Sequence, residues 1–262
     1  MRIDAIHAFA DNFIWRLAMP DRHEAVVVDP GDAGPVIEAL EADGQQLAAI
    51  LITHKHGDHV GGLRQLKARW PEAVVYGPRH EPIAGLDRAL GEGDRIRPEG
   101  LAAEFTVLEV PGHTEGHLAY YCEQEDTPVL FCGDTLFSIG CGRVFSGTFE
   151  QLHDSLMRLR ALPETTRVHC AHEYTLDNIG FAKWVEPDNP DLLAREAECH
   201  ALLDAGHDTV PSTMVVERAA NPFLRVDQPS VVAAVERHEG RPMRDTLDTF
   251  TCLRRWKDNE YD

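Results

Sequence analysis

Four side chains that can bind a metal ion fall within six positions of the chain, in the segment Thr53-His54-Lys55-His56-Gly57-Asp58-His59. Neutral imidazoles and carboxylates are the ligands that hold zinc and other first-row divalent cations in proteins. Lys55 cannot bind a metal while it is protonated, and its alternating position predicts that it points away from the ligands. A solvated polar loop rarely contains so many coordinating groups in so few positions. The segment therefore predicts a metal site.

The predicted ligands follow short apolar runs, which are typical of buried strands. Residues 47–52 form an aliphatic run that ends just before His54. Three later runs end in the same way: residues 105–110 before His113, residues 127–132 before Asp134, and residues 166–170 before His172. Open α/β sheets place their ligands at the carboxyl ends of strands. We therefore expect these four strand ends to converge at one edge of a sheet.

The pattern of the chain changes after His172. Before it, strands alternate with short helices, and residues 77–100, rich in glycine, proline and charge, predict connecting loops. After it, no clear strand is predicted, and four stretches have helical patterns: residues 176–184, 191–205, 230–238 and 243–257. We therefore place a domain boundary here, between residues 1–172 and a helical domain over residues 173–262.

The composition is that of a soluble globular protein, with 262 residues of which 43% are hydrophobic and 26% are charged. No apolar stretch approaches the roughly 18 residues that a membrane span needs. The first residues carry charges where a signal peptide has its apolar core, and the six cysteines show no paired spacing. These features predict a cytoplasmic protein whose thiols are reduced.

The chain is strongly acidic, with a formal net charge of −19 that is spread over both halves. Such a charge repels nucleic acid and anionic membrane surfaces at long range. We therefore expect no nucleic-acid partner and no membrane partner. We also expect a monomer. If the substrate is an anion, a local basic cluster must bind it.

Several segments resemble those of a known superfamily. Residues 53–59 resemble the T-H-x-H-x-D-H signature of the metallo-β-lactamase superfamily. Residues 111–117, residues 133–137 and His172 resemble the remaining metal-site elements of that superfamily, in the same order. Four segments resemble glyoxalase II, the hydroxyacylglutathione hydrolase family: Cys141-Gly142-Arg143, His172-Glu173-Tyr174-Thr175, Asn221-Pro222-Phe223 and Arg254-Arg255-Trp256-Lys257. The resemblance spans nearly the whole chain. It implies an α/β fold, with a metallo-β-lactamase-like αββα sandwich over residues 1–172 followed by a smaller all-α substrate-binding domain.

This resemblance implies a site for two divalent metal ions. One ion would be held by His54, His56 and His113, the other by Asp58, His59 and His172, and both would be bridged by Asp134. Asp58 and Asp134 are also the expected catalytic residues. We expect zinc, although imidazole and carboxylate ligands also suit iron and manganese. Asp29 resembles a family residue that orients a ligand histidine, the alternative being a turn-forming aspartate.

The implied reaction is the hydrolysis of S-(2-hydroxyacyl)glutathione, such as S-lactoylglutathione, to a 2-hydroxy acid and glutathione. This is the second step of methylglyoxal detoxification. A hydroxide held by the two metals would attack the thioester carbonyl. The leaving thiol has a pKa of about 8.5, so it needs no strong general acid. Cys141 is then unnecessary as a nucleophile, and we interpret it as a packing residue.

The family pattern also implies glutathione contacts at four residues, namely Arg143, Tyr174, Arg254 and Lys257. For the two C-terminal cations the alternative is a basic helix end that complements the helix macrodipole. Three cations in four residues of an acidic chain favour the substrate contact, because glutathione carries two carboxylates. Phe145 stands where some members have a tyrosine, so we expect one contact to the tripeptide to be missing.

Three other functions are compatible with a metal site of this kind. A glutathione persulfide dioxygenase of the same fold is expected to lack the Asp–His pair of the second metal, whereas Asp58 and His59 are both present. Another hydrolase of the metallo-β-lactamase fold would share the first signature but not the later segments. A non-catalytic metal-binding protein would not need the complete ligand set. A thioester hydrolase is therefore the favoured interpretation.

Overall fold

The computed structural model describes residues 1–123 and 127–261. Residues 124–126 of the predicted catalytic domain, and residue 262 at the end of the predicted helical domain, lie outside this part. The chain divides into two compact units. The first comprises Met1–Val110 and Thr114–Gly133, and the second comprises Pro111–His113 and the chain from Asp134 onward.

The first unit begins with a mixed sheet whose strands follow one another in sequence order: β1 (Arg2–Ala8), β2 (Asn12–Ala18), β3 (Glu24–Val28), β4 (Gln46–Leu51), β5 (Val74–Pro78) and β6 (Arg88–Leu90). Strands β1 to β3 pair antiparallel, and β3 to β6 pair parallel. Its helices are α1 (Ala33–Ala42), α2 (Gly57–Val60) and α3 (Leu63–Arg69). Helix α1 begins where Asp32 accepts the Gly34 N–H, and it buries Val36 and Leu40, one helical turn apart, in the core beside Ile50.

The same unit contains a second, antiparallel set of strands: β7 (Arg95–Ile96), β8 (Phe105–Glu109), β9 (Leu118–Cys122) and β10 (Val129–Gly133), paired in the order β10-β9-β8-β7. The prediction that the ligand-bearing strands converge at one sheet edge is wrong, because β4 belongs to the first sheet and β8 and β10 to the second. An apolar run indicates a strand but does not indicate its neighbours. The prediction of loops over residues 77–100 is also wrong in part, because β6 and β7 lie there.

The second unit is mainly helical. Its elements are β11 (Leu136–Phe137), β12 (Gly140–Cys141), α4 (Phe149–Arg160), β13 (Arg167–Cys170), α5 (Thr175–Val185), α6 (Pro190–Asp204), β14 (Ser212–Thr213), α7 (Met214–Ala220), a 3₁₀ turn (Pro222–Leu224), α8 (Pro229–Glu239), α9 (Thr246–Trp256) and a π-helical turn (Lys257–Tyr261). The four predicted helices are present as α5, α6, α8 and α9. Helices α4 and α7 and the two-residue strand β14 were not predicted, although a capping box between Thr148 and Gln151 marks the start of α4.

Within this unit, β11 and β12 form a short hairpin, residues 136–141, that follows Asp134. Ile139 at its tip has φ of 59°, a left-handed conformation that is rare for a β-branched residue. Side chains from α5, from α7 and from its C-terminal end hold the hairpin backbone: Asn178 donates to Ser138 O (3.1 Å), Glu217 accepts the Ile139 N–H (2.9 Å), and Asn221 donates to Gly140 O (2.9 Å). Burial raises the pKa of Glu217, which also accepts hydrogen bonds from Ser212 and Asn221.

Candidate metal centre

In the first unit, the loop after β4 carries two neighbouring imidazoles. His54 is fully buried and His56 partly so, and His54 Nε2 lies 3.0 Å from His56 Nδ1. The loop then enters α2, where Asp58 Oδ2 lies 3.4 Å from His59 Nε2. Asn12 donates to the same Asp58 oxygen at 3.1 Å. The segment therefore presents two adjacent pairs of ligand atoms, one of two imidazoles and one of a carboxylate and an imidazole.

Asp29 supports this segment from the end of β3. Its Oδ1 accepts the Thr53 N–H at 2.8 Å, and its Oδ2 accepts the Thr53 hydroxyl at 2.7 Å and lies 3.1 Å from His59 Nδ1. The ligand atoms of Asp29, His54 and His59 all lie within 4.8 Å of one another. A carboxylate on Nδ1 directs the other ring nitrogen, Nε2, towards a metal. Asp29 itself has φ of 53°, a conformation that few non-glycine residues adopt.

In the second unit, three buried side chains meet around one carboxylate. His113 Nε2 lies 3.4 Å from Asp134 Oδ2, and His172 Nε2 lies 3.4 Å from Asp134 Oδ1. His113 Nδ1 lies 2.8 Å from the carbonyl oxygen of Arg143, so this nitrogen carries the proton and Nε2 presents a lone pair. Each oxygen of Asp134 thus faces a different imidazole, and a carboxylate in this arrangement can bind two cations.

Two aromatic rings flank these histidines. Tyr174 stacks on His172 with 4.9 Å between the ring centroids and 6° between the ring planes, and it is partly exposed. Phe145 packs its ring edge-on against His113 at 5.2 Å and is 66% exposed. The side chain of Arg143 is about half exposed, with Nε 3.7 Å from Asp258 Oδ1. Arg143, Tyr174 and Phe145 are therefore accessible to a ligand.

The two C-terminal cations are buried instead. Arg254 is 1% exposed; its Nη1 donates to Cys141 O at 3.1 Å, and its Nε and Nη2 bind Asp258 Oδ1 at 3.1 and 3.0 Å. Lys257 Nζ donates to Asn178 Oδ1 at 3.0 Å and lies 3.4 Å from Asp177. In this structure both cations therefore bind protein groups.

Burial raises the pKa of the Cys141 thiol to about 11. The thiol is therefore protonated at neutral pH. Only a thiolate is an effective nucleophile, so Cys141 is poorly suited to nucleophilic attack. This state agrees with the interpretation of Cys141 as a packing residue.

Two residues that contact the ligand segment could not be identified from the sequence: Asn12, which binds Asp58, and Glu81, which accepts the Lys55 N–H. Their partners lie far away in the chain, so no local pattern identifies them.

The metallo-beta-lactamase superfamily model matches residues 13–172, and the model of the hydroxyacylglutathione hydrolase C-terminus matches residues 173–260. A hydroxyacylglutathione hydrolase of Ectopseudomonas mendocina is 50% identical over 259 residues, covering 98% of this chain and 99% of the relative. One of Alkalilimnicola ehrlichii is 51% identical over 256 residues, covering 98% of each chain. The chain belongs to the hydroxyacylglutathione hydrolase family.

Solved structures agree with this family's fold. The BLEG-1 B3 metallo-beta-lactamase has a TM-score of 0.64 at 25% identity, covering 85% of this chain and 99% of its own. A protein named TTHA1623, solved in a di-iron-bound form, has a TM-score of 0.52 at 30% identity, covering 66% of this chain and 92% of its own. The predicted fold is confirmed: a metallo-β-lactamase domain is followed by the helical C-terminal domain of hydroxyacylglutathione hydrolases. Across residues 1–123 and 127–261, every helix is too short or too polar to cross a membrane.

Proposed function

We propose that this protein is a thioester hydrolase that converts S-(2-hydroxyacyl)glutathione, such as S-lactoylglutathione, to a 2-hydroxy acid and glutathione. Its relatives of about 50% identity over nearly their full length are hydroxyacylglutathione hydrolases. The observation that carries the proposal is the buried Asp134 carboxylate, with one oxygen 3.4 Å from His113 and the other 3.4 Å from His172. Such a carboxylate fits a pair of cations, as a two-metal hydrolase needs.

The proposed cofactors are two divalent ions, zinc by expectation and iron or manganese as alternatives. One ion would take His54, His56 and His113, the other Asp58, His59 and His172, and Asp134 would bridge them. Two observations support this division: the first unit presents two adjacent ligand pairs, and the second presents one imidazole on each oxygen of Asp134. TTHA1623 is described in a di-iron-bound form, which supports a count of two ions.

Divalent ions bound by these residues would lower the pKa of water to about 7 and would polarise the thioester carbonyl. The protein's own contribution is to hold its ligands in the correct tautomer. We assign this role to Asp29, through its 3.1 Å contact with His59 Nδ1, and to the carbonyl of Arg143, through its 2.8 Å contact with His113 Nδ1. The departing thiolate needs little protonation, which removes the demand for a strong general acid.

For the substrate, we propose that the glutathione moiety is bound by Arg143, Tyr174, Arg254 and Lys257. Arg143 and Tyr174 are accessible, whereas Arg254 and Lys257 would have to give up part of their present contacts to bind a carboxylate. Residues 1–172 would then act as the catalytic domain and residues 173–262 as the substrate-binding domain. We also propose that the enzyme is a cytoplasmic monomer.

The test follows both products of the reaction. With S-lactoylglutathione, free thiol should appear at the rate at which the thioester absorbance falls, without oxygen uptake. Protein treated with a chelator should be inactive, and zinc should restore its activity. Oxygen consumption with glutathione persulfide, combined with no thiol release from the thioester, would show that the protein is a dioxygenase instead.

A further inference from the structure

Glu81 is a buried carboxylate just after β5, in a segment that the sequence predicts as a loop. It is 7% exposed, and each of its oxygens accepts a hydrogen bond from a different part of the chain. Oε2 accepts the Lys55 N–H at 2.5 Å, and Oε1 accepts the Gly116 N–H at 3.2 Å. All three residues belong to the first unit. One side chain therefore connects two loops that are about sixty residues apart in sequence.

Both of these loops contact the same ligand histidine. Lys55 lies directly between His54 and His56, so its N–H belongs to the backbone that carries both imidazoles. Gly116 precedes His117, whose ring stacks on His54 at 4.6 Å with 18° between the planes. A Cβ atom at Gly116 would lie 2.5 Å from Glu81 Cγ, so the carboxylate fits closely against this loop. Glu81 thus accepts hydrogen bonds from the backbone of both loops that contact His54.

The position requires a side chain with two acceptors. Backbone N–H groups only donate, and leaving one buried without an acceptor is costly. A carboxylate accepts with both oxygens, whereas the amide of glutamine accepts with one and donates with the other group. Asp29 accepts the Thr53 N–H in the same manner. The ligand segment is therefore held by one carboxylate at Thr53 and by a second at Lys55.

We propose that Glu81 is a positioning residue for the metal ion at His54 and His56. It fixes the backbone between these imidazoles before a metal arrives, which reduces the ordering that metal binding must impose. The inference rests on the metal site of the proposed function but not on the thioester substrate.

The experiment measures metal affinity and stability separately. Apo protein carrying Glu81→Gln or Glu81→Ala is titrated with zinc against a chromophoric chelator, and its Tm is recorded without metal. The control is Asp87→Asn in the same unit, because Asp87 accepts the Val75 N–H at 2.9 Å away from the ligand segment. Zinc affinity at one of the two sites should fall about 10- to 100-fold in Glu81→Ala and by less in Glu81→Gln, and it should remain unchanged in Asp87→Asn.

Zinc affinities equal to that of the wild type in both Glu81 variants, whatever their Tm, would overturn the inference. If Glu81→Ala does not fold, Glu81→Gln decides, because it keeps the volume and one acceptor. The proposed function can fail independently: a wild type that binds zinc but does not cleave S-lactoylglutathione would refute the thioesterase and leave the result for Glu81 intact.

Discussion

The C-terminal cations give the sharpest test of the substrate site, because contact with the substrate and a purely structural role predict different changes. The carboxylates of glutathione keep their charge while the thioester is cleaved. A contact with them therefore stabilises the ground state and the transition state about equally, and its removal raises KM while kcat stays nearly constant. Lys257→Ala is the cleaner perturbation, because Lys257 binds the side chains of Asn178 and Asp177, whereas Arg254 also binds the backbone of the hairpin at Cys141 O.

A charge-assisted hydrogen bond is worth roughly 1.5–3 kcal/mol. At about 1.4 kcal/mol for each factor of ten, Lys257→Ala should raise KM about tenfold to a hundredfold. Arg254→Ala should raise KM by a similar factor but should also destabilise the fold, because it removes the hydrogen bonds that Arg254 donates to the Cys141 carbonyl and the Asp258 carboxylate. Arg254 is buried and Asp258 only partly so, and a loss of about 3 kcal/mol, the lower end for a broken buried pair, corresponds to a fall in Tm of about 6–12 °C.

The assay is steady-state hydrolysis of S-lactoylglutathione, with the Tm of each variant measured in parallel. Arg255→Ala is the matched control, because Arg255 lies next to Arg254 on α9, is exposed, and packs over the ring of Phe149 at 5.2 Å. Its KM should not change. The wild-type KM should also rise with salt, since salt partly screens the attraction between the substrate's carboxylates and the protein's cations. If Lys257→Ala and Arg254→Ala both leave KM unchanged and lower the Tm, the two cations are structural, and the glutathione site must be sought at Arg143 and Tyr174.

Three further predictions concern single residues. Asp134→Asn should lower metal content below about two ions per chain, as measured by elemental analysis, and reduce kcat in parallel, because only one of its oxygens remains; full metal content would contradict a bridging role. Cys141→Ala should leave kcat nearly unchanged, since a thiol of pKa about 11 is protonated at neutral pH; a large loss would implicate the thiol. Hydrogen bonds from Arg241 and Arg244 hold the pKa of Asp248 well below its usual value, so they stabilise the fold above about pH 4 and cease to do so as the pH falls. The Tm difference between Asp248→Asn and the wild type should therefore shrink below about pH 4, and a difference independent of pH would refute the ion pairs.

The ligand-bearing segments could be predicted from the sequence because each follows an apolar run of strand length. His54 comes three residues after β4, and Asp134 comes directly after β10. The pairing of these strands could not be predicted, since hydrogen bonds between strands depend on contacts that are remote in sequence. β6 and β7 were missed for another reason: strands of three and two residues are too short to show an alternating pattern.

The supporting carboxylates show the same limit. Glu81 is followed by Pro82 in a stretch rich in turn-forming residues, so its burial has no local signal. The burial of Arg254 was equally hidden, because a run of cations at the end of a helix normally indicates an exposed surface. Its contacts with Cys141 and Asp258 depend on tertiary packing within the second unit.

The hairpin at residues 136–141 has a consequence for where this chain can be divided. Its backbone is hydrogen-bonded to four side chains that all lie after residue 172: Asn178, Glu217, Asn221 and Arg254. A fragment that ends at residue 172 would lack all four partners. The hairpin carbonyls and the Ile139 N–H that they bind would then have to hydrogen-bond to water. A different helical domain of similar shape could therefore not replace this one unless it carried the same hydrogen-bonding side chains. Hairpin and helices must be kept together, because the later segment supplies the side chains that bind the hairpin backbone.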